Sequence, residues 1–436
     1  MLLTTKVHIK QGNHDGVDVA VLRNIAYHAA RMYNVALYNI RQHFFNTEKY
    51  LSYNENYAIA KYNENYCILQ SNIGQQIMRL ADRDMKSFFS LLLLKKSGKY
   101  SADIHLPRYK DKEGIMGFSV QGQSARIQKD GKIAFGLTKE FRKLYGIAER
   151  RFLLTIPRHL LGIKQFHEVR FIPLYGGREF SVEFIYEQPE YEQIPETADG
   201  VLSVDIGVTN LISCVTRSNN GFRQFIIDGR PVKNINYYYN KVMARLKSVN
   251  VKNGTTTKRM IRLMNGRKHR IDDYFNRCAS SIVKLCFNEG ISTVVIGYNK
   301  DMKQEINIGK TNNQNFVCVP FHKLRSKLSY KCELHGIKVE FQEESYTSKA
   351  SALDLDDVPV FDASGKAEYT FSGKRVKRGL YRSSDGTCIN ADINGSVNIL
   401  RKYIKERKLN DLSSDNVRAI VNSPCKRYNL FRSPSL

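Results

Sequence analysis

The sequence lacks the features that would place it in a membrane, among secreted proteins or among disordered chains. No stretch of its 436 residues approaches the roughly 18 uninterrupted apolar residues that a membrane span requires. The opening residues, MLLTTKVHIK, lack the apolar core of a secretion signal, so we expect a cytoplasmic protein. With only 10 prolines and 42% apolar residues, the composition excludes a disordered, collagenous or low-complexity chain.

Cysteine pairs and nucleotide-binding motifs are also missing. The eight cysteines are scattered, and no two of them form a Cys-x-x-Cys pair. They are therefore predicted to be buried or incidental thiols in a reducing compartment, and not part of a disulfide framework or zinc site. The absence of a P-loop, a G-x-G-x-x-G turn and a nucleophile elbow leaves NTPase, dehydrogenase and esterase functions without support.

Acidic residues are scarce relative to basic ones. There are 42 Asp and Glu against 68 Lys and Arg, a net charge of +26, which suits a polyanionic partner such as nucleic acid. On charge alone, a basic membrane-surface protein or a ribosome-like structural protein fits equally. Residues 241–270 hold ten Lys and Arg and no acidic residue, which favours phosphate contacts over a merely solvated helical face. The candidate contacts there are Lys258, Arg259, Arg262, Arg267, Lys268 and Arg270.

Hydropathy patterning divides the chain into two halves of different character. Residues 13–100 carry apolar side chains at spacings of three and four, which predicts a helical bundle. Residues 1–12 and 101–190 are predicted to form short strands, including a hairpin through Asp130-Gly131, so the helices are expected to be inserted into a small barrel or twisted sheet. An acidic linker (191–200), an α/β domain (201–407, with a basic helical hairpin at 235–288) and a loose polar tail (408–436) complete the predicted organisation.

Three segments of the second half place a carboxylate where a strand ends or a helix begins. Asp205 ends the apolar strand VLSVD, where a buried charge is costly unless a cation compensates it. The strand IKVEFQEE ends in Glu343 and Glu344, of which alternation allows only one to join Asp205. Asp392 opens the amphipathic helix ADINGSVNILRKYIKE. Taken singly, each carboxylate is equally consistent with an ordinary charge at the end of an element.

Taken together, the three carboxylates match the plan of an RNase H-like nuclease. In such a site two metal ions, about 3.5–4 Å apart, activate a water and stabilise the leaving oxygen of a phosphodiester. Hard oxygen ligands favour Mg²⁺ or Mn²⁺. Asp205 is predicted to bridge both ions, and Glu344 and Asp392 are each predicted to hold one.

The same motifs carry a family resemblance. VDIGVTNL, EESYTSKAS and NADINGSVNIL resemble the RuvC nuclease domain of TnpB, a transposon-encoded RNA-guided DNA endonuclease related to type V CRISPR effectors and Fanzor proteins. The resemblance covers about residues 200–405, and LPRYKDK resembles the segment that follows the recognition helices. It implies a wedge β-barrel with an inserted recognition bundle, followed by a RuvC domain. It also implies a structured guide RNA, a short motif beside a double-stranded DNA target, and activity at the prokaryotic nucleoid.

Two departures from the family pattern change what the resemblance implies. The usual glutamate position of the strand TVVIGY holds Gly297, so the role passes to Glu344, as in rearranged lineages, with Glu343 as a fallback. The four cysteine positions of the zinc ribbon hold other residues, so no zinc is expected. These positions are Ser351, Asp354, Arg382 and Asp385.

The degenerate ribbon at 351–388 is then predicted to act as a lid held by apolar packing and ion pairs. A basic cluster within it would draw the DNA strand toward the site. Its members are Lys374, Arg375, Lys377 and Arg378, and the packing residues are Val358, Val360, Phe361, Tyr369, Phe371 and Leu380.

Two other functions stay open from the sequence. If the glutamate rearrangement fails, the protein is a nuclease-dead, RNA-guided DNA-binding repressor. A resolvase or transposase with a RuvC-like centre and no RNA is the other alternative. The sequence carries no legible interface, so the oligomeric state is also open.

Overall fold

A computed structural model describes residues 2–11, 18–163, 166–187, 191–249, 256–299, 317–360, 369–377, 379–409 and 412–432. The chain divides into two compact units, Met1–Glu190 and Tyr191–Leu436. The division falls just before the predicted acidic linker. No helix in the described ranges is long and apolar enough to cross a membrane. Arg378, Phe361 and residues 306–316 (INIGKTNNQNF), a Gly- and Asn-rich segment predicted to be a polar loop, lie outside the described residues.

The helices of the first unit follow the predicted periodicity. Asp18 caps the first long helix by accepting a hydrogen bond from the backbone N–H of Ala20. The two longest helices pack through buried side chains, among them Leu22 and Ile25 on one and Ile73 and Ile77 on the other. The helices are α1 (Val19–Thr47), α2 (Tyr53–Ala60), α3 (Glu64–Ile68), α4 (Ser71–Lys96) and α5 (Lys139–Tyr145), with a 3₁₀ turn at Arg158–Leu160.

The strands of the first unit form two antiparallel sheets. The strands are β1 (Leu2–Lys10), β2 (Phe118–Gln121), β3 (Arg126–Ile127), β4 (Lys132–Gly136), β5 (Arg151–Thr155), β6 (Glu168–Leu174) and β7 (Glu179–Glu187). The sheet orders are β1-β7-β6-β2 and β3-β4-β5. Because β1 pairs with β7 along its whole length, helices α1–α4 are inserted between strands of one sheet. The hairpin at Asp130-Gly131 is confirmed, since Ile127 pairs with Ile133 and Gly131 has φ +74°.

The second unit is built on one mixed sheet with helices on both faces. Its strands are β8 (Gly200–Asp205), β9 (Asn210–Ser218), β10 (Gly221–Asp228), β11 (Ile291–Tyr298), β12 (Lys338–Glu343) and, near the end of the chain, β16 (Lys426–Tyr428). A separate small lid sheet consists of β13 (Lys374–Lys377), β14 (Leu380–Arg382) and β15 (Cys388–Asn390). The main sheet has the order β12-β11-β8-β9-β10-β16. Strands β8, β11 and β12 run parallel, and β9 is antiparallel to both of its neighbours, β8 and β10.

Alternation along the strands separates two hydrophobic cores. Leu202 and Val204 face one core, to which α6 (Arg230–Val249), α7 (Lys258–Glu289) and α8 (Phe321–Leu334) contribute. Val201 and Val295 face the other, which is closed by α9 (Ala391–Glu406) and α10 (Ser414–Asn422). Asp205 is four residues after Val201 in β8, so its side chain lies on the same face of the sheet, the face covered by α9.

The expectation of a loose tail from residue 408 is wrong. Helix α10 buries Val417 and Ile420 in the second core, and β16 adds a parallel edge strand to β10. A three-residue strand has no hydropathy period of its own, and its pairing with β10 spans about half the chain, so local patterning could not predict it.

Candidate active site

The predicted carboxylates converge where α9 crosses the sheet. Asp205 ends β8, Glu344 directly follows β12, and Asp392 lies in the first turn of α9, which packs on β8, β9, β11 and β12. Burial raises the pKa of Asp205 well above its usual range, and the nearby charges of Glu344 and Asp392 raise it further. The three side chains therefore form one electrostatically coupled cluster.

The Glu344 carboxylate lies over Gly297 of β11. A Cβ built on Gly297 would stand 2.6 Å from Glu344 Oε2 and 2.6 Å from Ile399 Cδ1. The glutamate that follows β12 thus fills the space that a side chain at position 297 of β11 would occupy. Burial raises the pKa of Glu344 in spite of the opposing charge of Arg325.

Glu343, the fallback candidate, is held elsewhere. Its carboxylate accepts hydrogen bonds from the Lys402 ammonium and from the backbone N–H of Ser345, the latter at 2.8 Å. Lys402 is only 4% exposed and also donates to the Pro359 carbonyl at 3.1 Å. Although burial alone would raise the pKa of Glu343, the hydrogen bonds from Lys402 and Ser345 lower it. Glu343 therefore already has a cation beside it within the protein.

Asp392 is held by one neutral and one charged donor. Asn210 Nδ2 donates to Asp392 Oδ2 at 2.7 Å, and Arg375 Nη2 donates to Asp392 Oδ1 at 3.0 Å. The Asn390 side chain caps α9 by accepting from the N–H groups of Asp392 and Ile393. The capped helix start fixes the direction in which Asp392 leaves the backbone.

The donor chemistry of this cluster fits a hard divalent cation. Its ligating atoms would be carboxylate oxygens. Burial raises the pKa of Asp205 most and repulsion from Glu344 and Asp392 raises it further, and a nearby positive charge would relieve that repulsion. Asn210 Oδ1 is a further oxygen that is buried and has no hydrogen-bond partner within the described part of the chain. In the described ranges, no group of three or more His, Cys, Asp or Glu side chains is already arranged to hold a metal ion. One oxygen of Asp392 is engaged by Arg375 in this arrangement.

Most of the predicted phosphate contacts are exposed, but one is used inside the protein. Arg267 donates to Asn236 Oδ1 at 2.7 Å and to the Cys318 carbonyl at 2.8 Å, and it stacks on the Tyr239 ring. It joins α6 to α7, so the prediction that Arg267 contacts nucleic acid is wrong: its guanidinium is used within the protein. The remaining candidates on α7 (Lys258, Arg259, Arg262, Lys268 and Arg270) and on the lid (Lys374 and Lys377) are exposed.

Sequence reasoning missed a pair of tyrosines beside the basic helix. Tyr237 and Tyr238 on α6 are 68% and 58% exposed, and Lys241 and Arg245 follow on the same helix without an intervening acidic residue. Exposed aromatic rings among cations are typical of surfaces on which unpaired bases stack. The Tyr-Tyr-Tyr run was the available signal.

The lid is held mainly by serine–carboxylate hydrogen bonds and only partly by the predicted packing. Asp356 accepts from the Ser351 N–H at 2.7 Å and from the Ser372 hydroxyl at 2.6 Å. Asp354 accepts from the Ser384 N–H at 3.0 Å. Of the predicted apolar contacts, Tyr369 and Phe371 do pack on Tyr346, but Val360 is 60% exposed and lies outside the core. An ion pair between Lys405 of α9 and Asp357, at 2.6 Å, also contacts the lid.

Comparisons with known proteins agree with this fold. The protein chain of a cryo-EM structure titled as a Cas12f1–sgRNA–target DNA complex matches with a TM-score of 0.54 and 16% identity, over 87% of this chain and 82% of that chain. The chain therefore has a Cas12f1-like fold.

Sequence matches point to transposase-related and Cas12f1-like proteins. The OrfB_IS605 family model, described as "Probable transposase", matches residues 183–303, and the model described as "Cas12f1-like, TNB domain" matches residues 321–399. The TnpB-like protein ORF457 of Acidianus two-tailed virus is 25% identical over 440 residues, covering 89% of this chain and 85% of the relative. The chain is thus similar to a TnpB-like protein over most of its length.

Proposed function

We propose that this protein is an RNA-guided DNA endonuclease with a Mg²⁺- or Mn²⁺-dependent RuvC-like centre. The observation that carries the proposal is the convergence of Asp205, Glu344 and Asp392 on one face of the mixed sheet. The similarity to a TnpB-like protein supports the reaction class, and the fold shared with a Cas12f1 chain solved with a guide RNA and target DNA supports the partners. RNA–DNA pairing would read the sequence, while the protein reads a short motif beside the target.

Asp205, Glu344 and Asp392 would hold the cation. When bound, the cation supplies the positive charge that makes a water nucleophilic and stabilises the leaving oxygen of the phosphodiester. Arg375 lies at the mouth of this cluster, where its guanidinium would contact the phosphate of an entering strand. Glu343 takes no part, because Lys402 neutralises it.

The nucleic-acid surface of the second unit would comprise the exposed basic residues of α7, the lid cations and the α6 tyrosines. Lysines and arginines would contact phosphates without reading sequence, and Tyr237 and Tyr238 would stack on unpaired bases. Such sequence-independent contacts suit a protein whose specificity is delegated to a guide RNA.

The domain plan follows the same proposal. The second unit would be an RNase H-like RuvC domain, since its central strands run β10-β9-β8-β11-β12 with the carboxylates at the ends of β8 and β12. The first unit would be the wedge with its inserted recognition helices. The lid would be held without zinc, because Ser351 and Asp354, at two of the four positions where the resemblance implies cysteines, take part in hydrogen bonds within the lid.

A purification from the native locus tests the proposal. We expect a discrete RNA with a variable end segment to co-purify, and expect DNA cleavage that is lost after RNase treatment or chelation of divalent cations. Asp357→Asn, which changes an exposed lid carboxylate paired with Lys405, serves as the control variant and should cleave normally. Guided binding without any cleavage would favour the repressor. Cleavage that survives RNase would favour the resolvase or transposase.

A further inference from the structure

The first turns of α9 contain residues that weaken a helix. Asn394, Gly395, Ser396 and Asn398 all have lower helix propensity than alanine, and all four are buried. A local sequence that disagrees with its own secondary structure marks a position where another interaction compensates. In α9 each of these residues faces an element that carries one of the proposed metal ligands.

Two of the asparagines fix the turn that follows Glu344. Asn398 Nδ2 donates to the carbonyls of Thr347 and Ala350 at 2.9 and 2.8 Å. Asn394 Nδ2 donates to the same Ala350 carbonyl at 2.8 Å, and its Oδ1 accepts from the Ala352 N–H at 3.0 Å. Both side chains are completely buried.

The same turn is hydrogen-bonded to the backbone of Glu344. Thr347 donates to the Glu344 carbonyl from its hydroxyl at 2.8 Å and from its N–H at 3.2 Å. Asn398 is therefore linked to the Glu344 backbone through a single residue. On the other side, Arg401 Nη1 donates to Asn398 Oδ1 at 2.8 Å and fixes the orientation of the amide.

The small residues of the same helix contact the strand that carries Asp205. A Cβ on Gly395 would stand 2.8 Å from Asp205 Oδ2, so only glycine lets the helix lie this close to the carboxylate. Ser396 Oγ lies 2.9 Å from Ser203 Oγ and 3.2 Å from the Ser203 carbonyl, two residues before Asp205. Asp392, the remaining carboxylate, is held by Asn210 from β9.

We infer that Asn210, Asn394 and Asn398 are positioning residues that set the separation of the three carboxylates, an inference that rests on the proposed function. All three act through neutral amide groups, which orient a carboxylate or its backbone and leave its charge available to a cation. The neighbouring Glu343 shows the opposite arrangement, because the Lys402 ammonium neutralises it. The buried Lys402 ammonium thus marks Glu343 as a structural carboxylate, whereas Asp392 is shared between the exposed Arg375 and the neutral amide of Asn210.

Metal affinity of the full-length protein tests this inference without requiring cleavage. Mn²⁺ binding to metal-free protein is measured by electron paramagnetic resonance for the wild type, Asn398→Ala, Asn394→Ala and Asn210→Ala, and melting temperatures are recorded in parallel. We expect each variant to bind Mn²⁺ about 10–100-fold more weakly. Leu328→Ala, a truncation in the core on the opposite face of the sheet, is the control for lost stability. It should melt earlier but bind Mn²⁺ with wild-type affinity.

Cleavage as a function of Mn²⁺ concentration provides a second measurement. The asparagine variants should need correspondingly more Mn²⁺ and recover cleavage when it is supplied. Unchanged Mn²⁺ affinity in these variants, or equal weakening in Leu328→Ala, would overturn the positioning role and leave the proposed function standing. Failure of the wild type to bind Mn²⁺ or to cleave any guided target would overturn both.

Discussion

Replacing Gly297 by alanine is the sharpest test of where the Glu344 carboxylate lies. The added Cβ would stand 2.6 Å from Glu344 Oε2 and 2.6 Å from Ile399 Cδ1, well inside van der Waals contact. Overpacking of this kind costs about 1–3 kcal/mol. At about 2–4 °C per kcal/mol for a unit of this size, we expect the melting temperature to fall by roughly 2–12 °C.

The same substitution in a Glu344→Ala background measures how much of the lost stability comes from contact with the Glu344 carboxylate. Removing Glu344 eliminates one of the two contacts, and Ile399 Cδ1 is a side-chain end that can change rotamer. The loss caused by Gly297→Ala should therefore shrink by at least half, a coupling of about 0.5–2 kcal/mol. Calorimetric melting of all four proteins in metal-free buffer measures it.

A matched control comes from Gly266 on α7, whose added Cβ would meet nothing within 4 Å. Gly266→Ala should stabilise slightly, because alanine has the higher helix propensity. Strictly additive losses for Gly297→Ala and Glu344→Ala would refute the placement of Glu344 over β11, and with it the rearranged glutamate.

Three further predictions concern buried ionisable side chains. Because the folded-state pKa of Asp205 is raised, its contribution to stability is present at acidic pH and lost as the pH rises. Metal-free Asp205→Asn should therefore have a higher melting temperature than the wild type near pH 8. The difference between the two melting temperatures should narrow toward pH 4. Lys402→Met should lower the free energy of unfolding, measured with denaturant, by about 2 kcal/mol, because it leaves the Glu343 carboxylate without its cationic partner. The double variant Lys402→Met/Glu343→Gln should recover most of that loss. Burial lowers the pKa of His28, so stability should fall as the pH drops below the unfolded value of about 6.5, and His28→Gln should flatten this loss in acid titrations of the melting temperature.

The sequence was most informative where local patterning and motif chemistry coincide. Asp205 at a strand end and Asp392 at a helix start follow from periodicity, and the structure brings both into one cluster. The choice between Glu343 and Glu344 stayed open, because it depends on Lys402, which lies 59 residues away in the chain. From the sequence, glycine at 297 is only the absence of a catalytic glutamate. In the structure, its missing side chain leaves the space that the Glu344 carboxylate fills.

Non-local contacts account for the remaining differences. Arg267 belonged to a basic run that suggested phosphates, but its partners on α6 and near Cys318 are invisible to a charge count. The strand β16 pairs with a partner about 200 residues away, and no period marks it in the sequence. Stability of the lid through Asp354 and Asp356 likewise depends on serines that are distant in sequence.

Comparing Glu344→Gln with Glu343→Gln in guided cleavage tests the central claim most directly. Each variant is purified with its RNA and given Mg²⁺ and a DNA duplex that matches the variable segment of that RNA, with a mismatched duplex alongside. The account predicts that Glu343→Gln cuts the matched duplex, and that Glu344→Gln binds it without cutting. Cutting by Glu344→Gln, or equal cutting of the mismatched duplex by the wild type, would contradict it.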